Sequence, residues 1–536
     1  VPAGGGGGGG GGGAVQSRRT AGANVVELLL RARRVSILAI SIRAEFVCSR
    51  VASTRSPTPA MLSIIAACCD ALALPRTFSG WAAEAGIVAP KLRILNDAID
   101  ADSTVRSCVA AAPIEKEEEL CVLPRSRCLD LSRVTSGTPC PEMAPPALWD
   151  SLEWYEALAV WLLSERRRGE ASPIHGYVQY LPQPVEFSDA PLEWSEAELA
   201  ELRYPPIAIA IEEQAAAQAA LYARLRREGG PEAASVTAEE LRWAQQCVLS
   251  RAFSSVTQGV RRGAKGFKKK PTKEVKKQQK KVDEAKSGLL RAVGLDKFFE
   301  KDEDAEEAAA PKAREMALMP MLDALNHASD AKSSTRCRWD AGREAFVLVA
   351  SEPVRQGAQV LLSYGDKGND ELLQLFGFVE DENPHDTFVP IGLDAHVGSL
   401  ERNFASEAEM RRRFGRLEKL GLGDALTLEL RADGKLPPRM LHALRILFGS
   451  AAELDDEKAL KKPASIETEQ RVWAALRSYC KLARNAMGGP LKADLSALDR
   501  ERDPRRRLAI QFRAEKKRIL ATVEQKVAML ERNRKL

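Results

Sequence analysis

The residues with the clearest capacity for chemistry fall in three segments. One is Trp243-Ala-Gln-Gln-Cys-Val-Leu-Ser-Arg-Ala-Phe253, whose Arg251 stands near the expected end of a helix. A guanidinium there suits a carboxylate, because its fork matches two oxygens; it also suits the negative end of the helix dipole. The second segment, Leu318-Met-Pro-Met-Leu-Asp-Ala-Leu-Asn-His327, carries Asp323, Asn326 and His327. Read alone, Asp323 is a turn cap or a substrate-facing carboxylate. His327 is either a buried imidazole satisfied by a carbonyl or a ligand contact. No accompanying Ser/Asp arrangement supports a hydrolytic general base. The third segment is Leu362-Ser-Tyr-Gly365, continuing through Asn369-Asp-Glu-Leu-Leu-Gln-Leu-Phe-Gly-Phe378. Tyr364 follows an apolar run and precedes a glycine. Its hydroxyl can either anchor a strand end or orient a reacting group by hydrogen bonding.

Other chemistries find little support. The ten cysteines are scattered, with no Cys-x-x-Cys pair and no Cys/His cluster at zinc spacing, so no metal site is expected. That usage fits a reduced compartment. The net charge of +5 is small for 536 residues and does not mark a nucleic-acid binder. No segment has about 20 unbroken apolar residues, so no membrane span is expected.

The elements that must position these residues follow from periodicity. Apolar residues at helical spacing predict a helix over 148–166, with further helices over 195–203 and 206–227. Thr237-Ala-Glu-Glu240 is a capping-box pattern opening a helix over 238–253. Strands are expected at 108–111, 120–123, 346–350 and 359–363, the last two joined by the turn-like Pro353–Gly357. After Pro384 the character turns helical and charged, with long segments at 406–419, 440–448, 468–485 and 505–534. Arg261–Lys286 holds twelve basic residues and almost no core formers. It reads as a solvated insertion, or less readily as a polyanion contact without base stacking. The first 75 residues combine Gly4–Gly13 with basic, acidic-poor sequence, which reads either as an organelle transit segment or as a low-complexity tail.

Taken in order, the three segments resemble the Rubisco large-subunit methyltransferase branch of the SET family. Sequence from Trp81 to Pro124 looks like that family's N-terminal strands. Glu382-Asn-Pro-His-Asp386 and Leu436-Pro-Pro-Arg-Met-Leu-His-Ala-Leu-Arg445 resemble the start and middle of its helical substrate-binding domain. The resemblance implies an α+β fold. A β-rich SET domain over 76–380 would be interrupted by a helical insertion at about 145–240 and a basic insertion at about 260–312. An all-α substrate-binding domain over 381–536 would follow. It further implies a monomeric protein methyltransferase that uses S-adenosyl-L-methionine on a protein lysine, in the chloroplast or cytoplasm, with histidine as an alternative target. A SET-like binding module without catalysis is the alternative from another class.

The same resemblance implies residue roles. Tyr364 would be catalytic. Arg251, Asn326, His327, Phe376 and Arg106 would contact the cofactor, and Asp323, Arg251 and Tyr364 the substrate. The sequence departs from the family pattern in two places. Thr104-Val-Arg-Ser-Cys108 stands without glycine where the family has a Gly-x-Gly loop, so Cβ atoms at Val105 and Ser107 would crowd a closely approaching ligand. Phe376 stands where the family often has tyrosine. Methylation of an amine requires a neutral nucleophile, alignment and exclusion of water. An apolar channel favours the uncharged amine of a lysine whose ordinary pKa is about 10.4.

Overall fold

The structure, a computed structural model, describes residues 78–95, 107–134, 136–254, 315–329, 332–401, 406–456 and 458–533. All lie in one compact unit, Thr77–Leu536. The basic insertion, the N-terminal segment and Arg106 lie outside the described residues.

The chain opens with helix α1 (Phe78–Glu84) and an antiparallel pair, β1 (Leu92–Leu95) with β2 (Ser107–Ala110). Ser107, from the glycine-less stretch, pairs with Leu95 and is buried. Strand β3 (Glu119–Pro124) joins the main sheet, and β4 (Leu129–Asp130) starts a second, smaller one.

Six helices follow: α2 (Pro146–Asp150), α3 (Trp154–Arg168), α4 (His175–Tyr180), α5 (Glu196–Ala200), α6 (Pro205–Glu228) and α7 (Ala238–Arg251). The capping box that opens α7 forms as its sequence predicts. Thr237 Oγ1 accepts from Glu240 N at 3.1 Å, and Thr237 N donates to the Glu240 carboxylate at 2.9 Å. The apolar face of α7 packs on α3, burying Trp243, Cys247 and Val248 against Leu158 and Leu162.

The chain then returns to strands. β5 (Ala252–Ser254) and β4 flank β6 (Met316–Leu318) in a three-stranded antiparallel sheet. β7 (Asn326–His327), β8 (Thr335–Asp340), β9 (Ala345–Ala350) and β10 (Leu361–Leu362) complete the main sheet, in the order β3-β9-β8-β10-β7. Every residue of β9 is buried, which explains its unbroken apolar run: both faces are covered. The pairing of β10 with β7 and β8 is parallel. It sets the segment before Tyr364 directly beside Asn326 and His327, 35 residues or more upstream in sequence but Cα partners in register.

Helix α8 (Asn369–Phe376) follows, closed by Gly377 in the left-handed conformation that favours glycine. After β11 (Thr387–Phe388) come α9 (Leu393–Glu401), α10 (Glu407–Lys419), β12 (Leu430–Arg431), α11 (Pro438–Phe448), α12 (Ile466–Ala486), α13 (Leu491–Leu498) and the long α14 (Pro504–Asn533). This helical region does not stand apart. Its core, around Leu444, Trp473 and Phe512, is continuous with Trp194, Ile207 and Ile211 of the insertion and with Leu373 of α8. The architecture is thus α+β, a sheet-built unit with a helical insertion and a helical C-terminal region.

Candidate functional site

Tyr364 lies at the centre of the candidate site. It is 5% exposed, and its hydroxyl donates to the Leu325 carbonyl at 2.8 Å. That proton is committed inward, so toward a ligand the oxygen acts as an acceptor. Gly365 follows with φ +93°, a turn that residues with a Cβ rarely make, and this turn releases the chain from the sheet just after the tyrosine. The ring meets two aromatic neighbours: His327 at 4.8 Å between centroids and Phe376 at 5.0 Å. Phe378 completes the cluster, 5.9 Å from His327. The Lys367 Nζ stands 5.9 Å from the centre of the Phe376 ring.

His327 is fixed by a hydrogen bond at Nδ1 and faces a carboxylate at Nε2. Its Nδ1 accepts the Tyr364 amide at 3.0 Å, so the ring proton resides on Nε2, which faces Glu380 Oε2 at 3.3 Å. Burial alone would raise the Glu380 pKa, but His327 and the Ser329 amide hold it down to about 2. Glu380 is in turn clamped by Asn369, which accepts its amide at 3.0 Å and donates to its carbonyl at 3.1 Å. Asn326 lies half-buried beside this cluster, its amide donating to Gln359 Oε1 at 3.2 Å.

Arg251 and Asp323 form the second half of the site. Asp323 sits in a short 3₁₀ turn, Leu322–Ala324, entered through Met321 at φ +74°, a conformation that costs about 1–3 kcal/mol in a non-glycine residue. Its carboxylate is fully buried. One oxygen, Oδ2, accepts from Arg251 Nη1 at 3.2 Å and from the Tyr177 hydroxyl at 2.9 Å. The same guanidinium nitrogen also donates to the Asp323 carbonyl at 2.9 Å. Burial would lower the Arg251 pKa, but the Asp323 charge overrides it and holds the cation above its ordinary value. Burial, followed by the Asp323 charge, pushes the Tyr177 phenol well up, so it remains a neutral donor. Arg251 Nε and Asp323 Oδ1 are among the buried side-chain atoms that have no hydrogen-bond partner within the described residues, as is Glu380 Oε2 beside His327.

The structure therefore gathers Tyr364, His327, Phe376 and Asn326 on one side and Arg251 with Asp323 on the other, with Leu325 between. The sequence pointed to a guanidinium open to a carboxylate ligand. The structure shows part of it already held by an internal carboxylate, because a buried cation needs a resident partner. Tyr177, Glu380 and Asn369 escaped sequence reasoning. Tyr177 stands on a six-residue helix, and Glu380 lies two residues beyond the third motif without a pattern of its own.

The close approach that seats Tyr177 is visible at Gly176, where a Cβ would come within 2.3 Å of Trp81. Helix α1 thus packs directly on α4, behind the Asp323 contact. Among the described residues, no group of three or more His, Cys, Asp or Glu side chains could hold a metal ion. No described helix is long and apolar enough to cross a membrane.

Residues 406–520 match the Rubisco LSMT substrate-binding family model. The fold is similar to a structure of Rubisco LSMT bound to AdoMet, at 19% identity and a TM-score of 0.54, covering 85% of this chain and 92% of that one. It is equally similar to Rubisco LSMT bound to sinefungin and monomethyllysine, at 18% identity and a TM-score of 0.55, covering 86% and 93%. The resemblance and the fold class read from the motifs are borne out.

Among curated proteins, a ribosomal lysine N-methyltransferase of Schizosaccharomyces pombe is 37% identical over 73 residues, 13% of each chain. The human actin-histidine N-methyltransferase is 24% identical over 220 residues, 38% of this chain and 35% of that protein. The chloroplastic fructose-bisphosphate aldolase-lysine N-methyltransferase of Arabidopsis thaliana is 24% identical over 231 residues, 40% and 46%. The chain spans less than half the length of each of these curated relatives.

Proposed function

We propose that this chain, Rubisco-methyltransferase-like in fold, is an S-adenosyl-L-methionine-dependent protein methyltransferase whose target is a lysine side chain. The observation that carries the reading is the juxtaposition of the three segments: Tyr364 packs on His327 and Phe376, its hydroxyl bonds the Leu325 carbonyl, and two residues earlier Asp323 holds the buried Arg251. The residues fit the cofactor. A buried guanidinium suits a carboxylate, the half-buried Asn326 and His327 offer main-chain and amide groups at one edge, and Phe376 offers an aromatic face. Bound S-adenosylmethionine would supply a methyl group activated by its sulfonium.

In this reading the chain's own residues do the rest. The Tyr364 oxygen, its proton held by Leu325, accepts from the reacting amine and fixes its direction. The aromatic cluster excludes water and favours the neutral amine. Asp323 Oδ1 accepts a donor from the bound ligands. The region from 381 on selects the protein substrate, and the unit over 76–380 carries the transfer. Relatives that act on histidine make a histidine target the second reading. The basic, acidic-poor N-terminal sequence and the chloroplastic relative favour a plastid location.

The test is methyl transfer from labelled S-adenosylmethionine into proteins of a cell extract, with the modified residue mapped by mass spectrometry. Tyr364→Phe keeps the ring and removes the hydroxyl. Turnover should fall by about 10²–10³, since removing one positioned hydrogen-bonding group at a transition state costs about 2.7–4 kcal/mol. Unchanged turnover would remove Tyr364 from the mechanism. Label on histidine would replace lysine as the target. No binding of the cofactor by calorimetry would favour the non-catalytic module.

A further inference from the structure

We infer that Glu380 is a positioning residue for the candidate catalytic tyrosine, acting through His327 to fix the backbone of Tyr364; this rests on the methyltransferase reading above. The geometry begins with the ring nitrogens. A backbone amide can only donate, and the Tyr364 amide donates to His327 Nδ1 at 3.0 Å. That bond exists only when Nδ1 carries no proton. An imidazole has two neutral tautomers, so something must favour the one with its proton on Nε2. Glu380 Oε2 lies 3.3 Å from Nε2, and the His327 side chain is 2% exposed, out of reach of bulk water. The separation is long for a hydrogen bond, but the carboxylate is ionised and mostly buried, so its charge acts on the ring with little screening.

The carboxylate is itself held in place. Its other oxygen accepts the Ser329 amide at 3.1 Å, and Asn369 grips the Glu380 backbone from both sides. Lys332 Nζ stands 3.8 Å away, at the exposed edge. Loss of the carboxylate removes the preference for Nε2–H. In the other tautomer, Nδ1–H faces the Tyr364 N–H, two donors head to head. The tyrosine backbone must then move. Its hydroxyl, 2.8 Å from the Leu325 carbonyl on the strand segment beside His327, moves with it.

A purely structural Glu380 would only pin the Ser329 turn. The two roles differ in what they change at His327. The chain has five histidines, so a long-range proton–nitrogen correlation spectrum of the full-length protein, assigned with His327→Gln, resolves the tautomer. The wild type should show His327 neutral with the proton on Nε2. Glu380→Ala should show a mixture of the two neutral tautomers. It should also lower kcat at least tenfold, while KM for protein substrate and the Kd for S-adenosylmethionine change less than threefold. Glu380→Gln keeps the volume and one acceptor oxygen, and should lie between the two; it serves as the variant of record if the alanine protein does not fold.

A wild-type His327 protonated on Nδ1 overturns the inference. So does a Glu380→Ala or Glu380→Gln protein with unaltered tautomer and unaltered kcat. A tautomer change in Glu380→Ala without methyl transfer in any form of the protein would uphold the positioning role and refute the enzymatic reading instead.

Discussion

Replacing Lys516 by methionine should cost about as much stability as truncating a large buried apolar side chain in the helical region. Lys516 lies in α14 and is fully buried. Its ammonium meets Asp386 Oδ1 at 2.8 Å, the Thr387 carbonyl at 2.7 Å and the Asp370 carboxylate. Burial would lower its pKa, yet the two carboxylates hold it above the ordinary lysine value. Methionine matches the length of the stem and removes the charge. Asp386, itself 2% exposed, would then be stranded as an uncompensated anion. Breaking a buried ion pair from one side costs about 3–5 kcal/mol. The loss should appear as a lower urea midpoint with an unchanged slope, followed by tryptophan fluorescence. Asp386→Asn in the same chain should restore part of it, giving a coupling of about 1 kcal/mol or more in a double-mutant cycle. A Lys516→Met loss below about 1 kcal/mol, or strictly additive effects, would refute the view that this charge cluster is a resident, mutually dependent set.

Two further outcomes follow from the same reasoning. Asp323→Ala strands the Arg251 guanidinium and the Tyr177 hydroxyl, and should lower the denaturation midpoint by the equivalent of about 3–5 kcal/mol, whereas Asp323→Asn should cost less; an unchanged midpoint in the alanine protein would refute the assignment. Acid stability should be biphasic. Asp370, raised by burial against the pull of Lys516, binds its proton more tightly when folded, so this group favours folding as pH falls toward 3.8. Glu380 and Glu453, held down to about 2 against their burial, contribute stability that is present above about 4.5 and lost as pH falls toward 2. Thermal midpoints should therefore hold or rise slightly from pH 7 to 5 and fall below 4.5, and a midpoint still climbing at pH 3 would contradict these shifts.

Local signals were legible and partner-dependent ones were not. Helix α7 announces itself through Thr237 and Glu240, whose side chains act within one turn, and α3, α6, α11, α12 and α14 announce themselves through a repeating apolar face. Strands of two to four residues, such as β1, β4 and β6, are too short for any period to register. Their existence depends on a partner elsewhere, as when Leu129 pairs with Leu318. The helical period also overran its end at Arg251: Ala252 and Phe253, expected in α7, leave it to pair with β6. The candidate site divides in the same way. Asp323, Asn326, His327, Tyr364 and Phe376 were nameable because their own segments carry motifs. Tyr177 reaches Asp323 across 146 residues and Glu380 reaches His327 through a fold contact, so neither leaves a local trace.

The charge cluster around Lys516 also bears on how the helical region relates to the site. A buried ion pair adds little net stability over apolar packing of the same volume, since desolvation offsets most of the attraction. What it does impose is a penalty on every other seating of α14, because a shift of one residue would leave the lysine and its carboxylates buried apart. Asp386 makes that seating matter for the site. Its carboxylate accepts the Asn369 amide at 2.9 Å and the Asn369 side chain at 3.1 Å, and Asn369 grips the backbone of Glu380. The start of α8 is therefore defined jointly by the sheet-built unit and by the last helix. The apolar core agrees, since Leu373 of α8 packs in the same cluster as Phe512 of α14. A cut near Asp381 would separate Lys516 from Asp370 and open that core. Loss of the helical region should then reach the Glu380–His327–Tyr364 arrangement through misplacement of α8, beyond any loss of surface for a protein substrate.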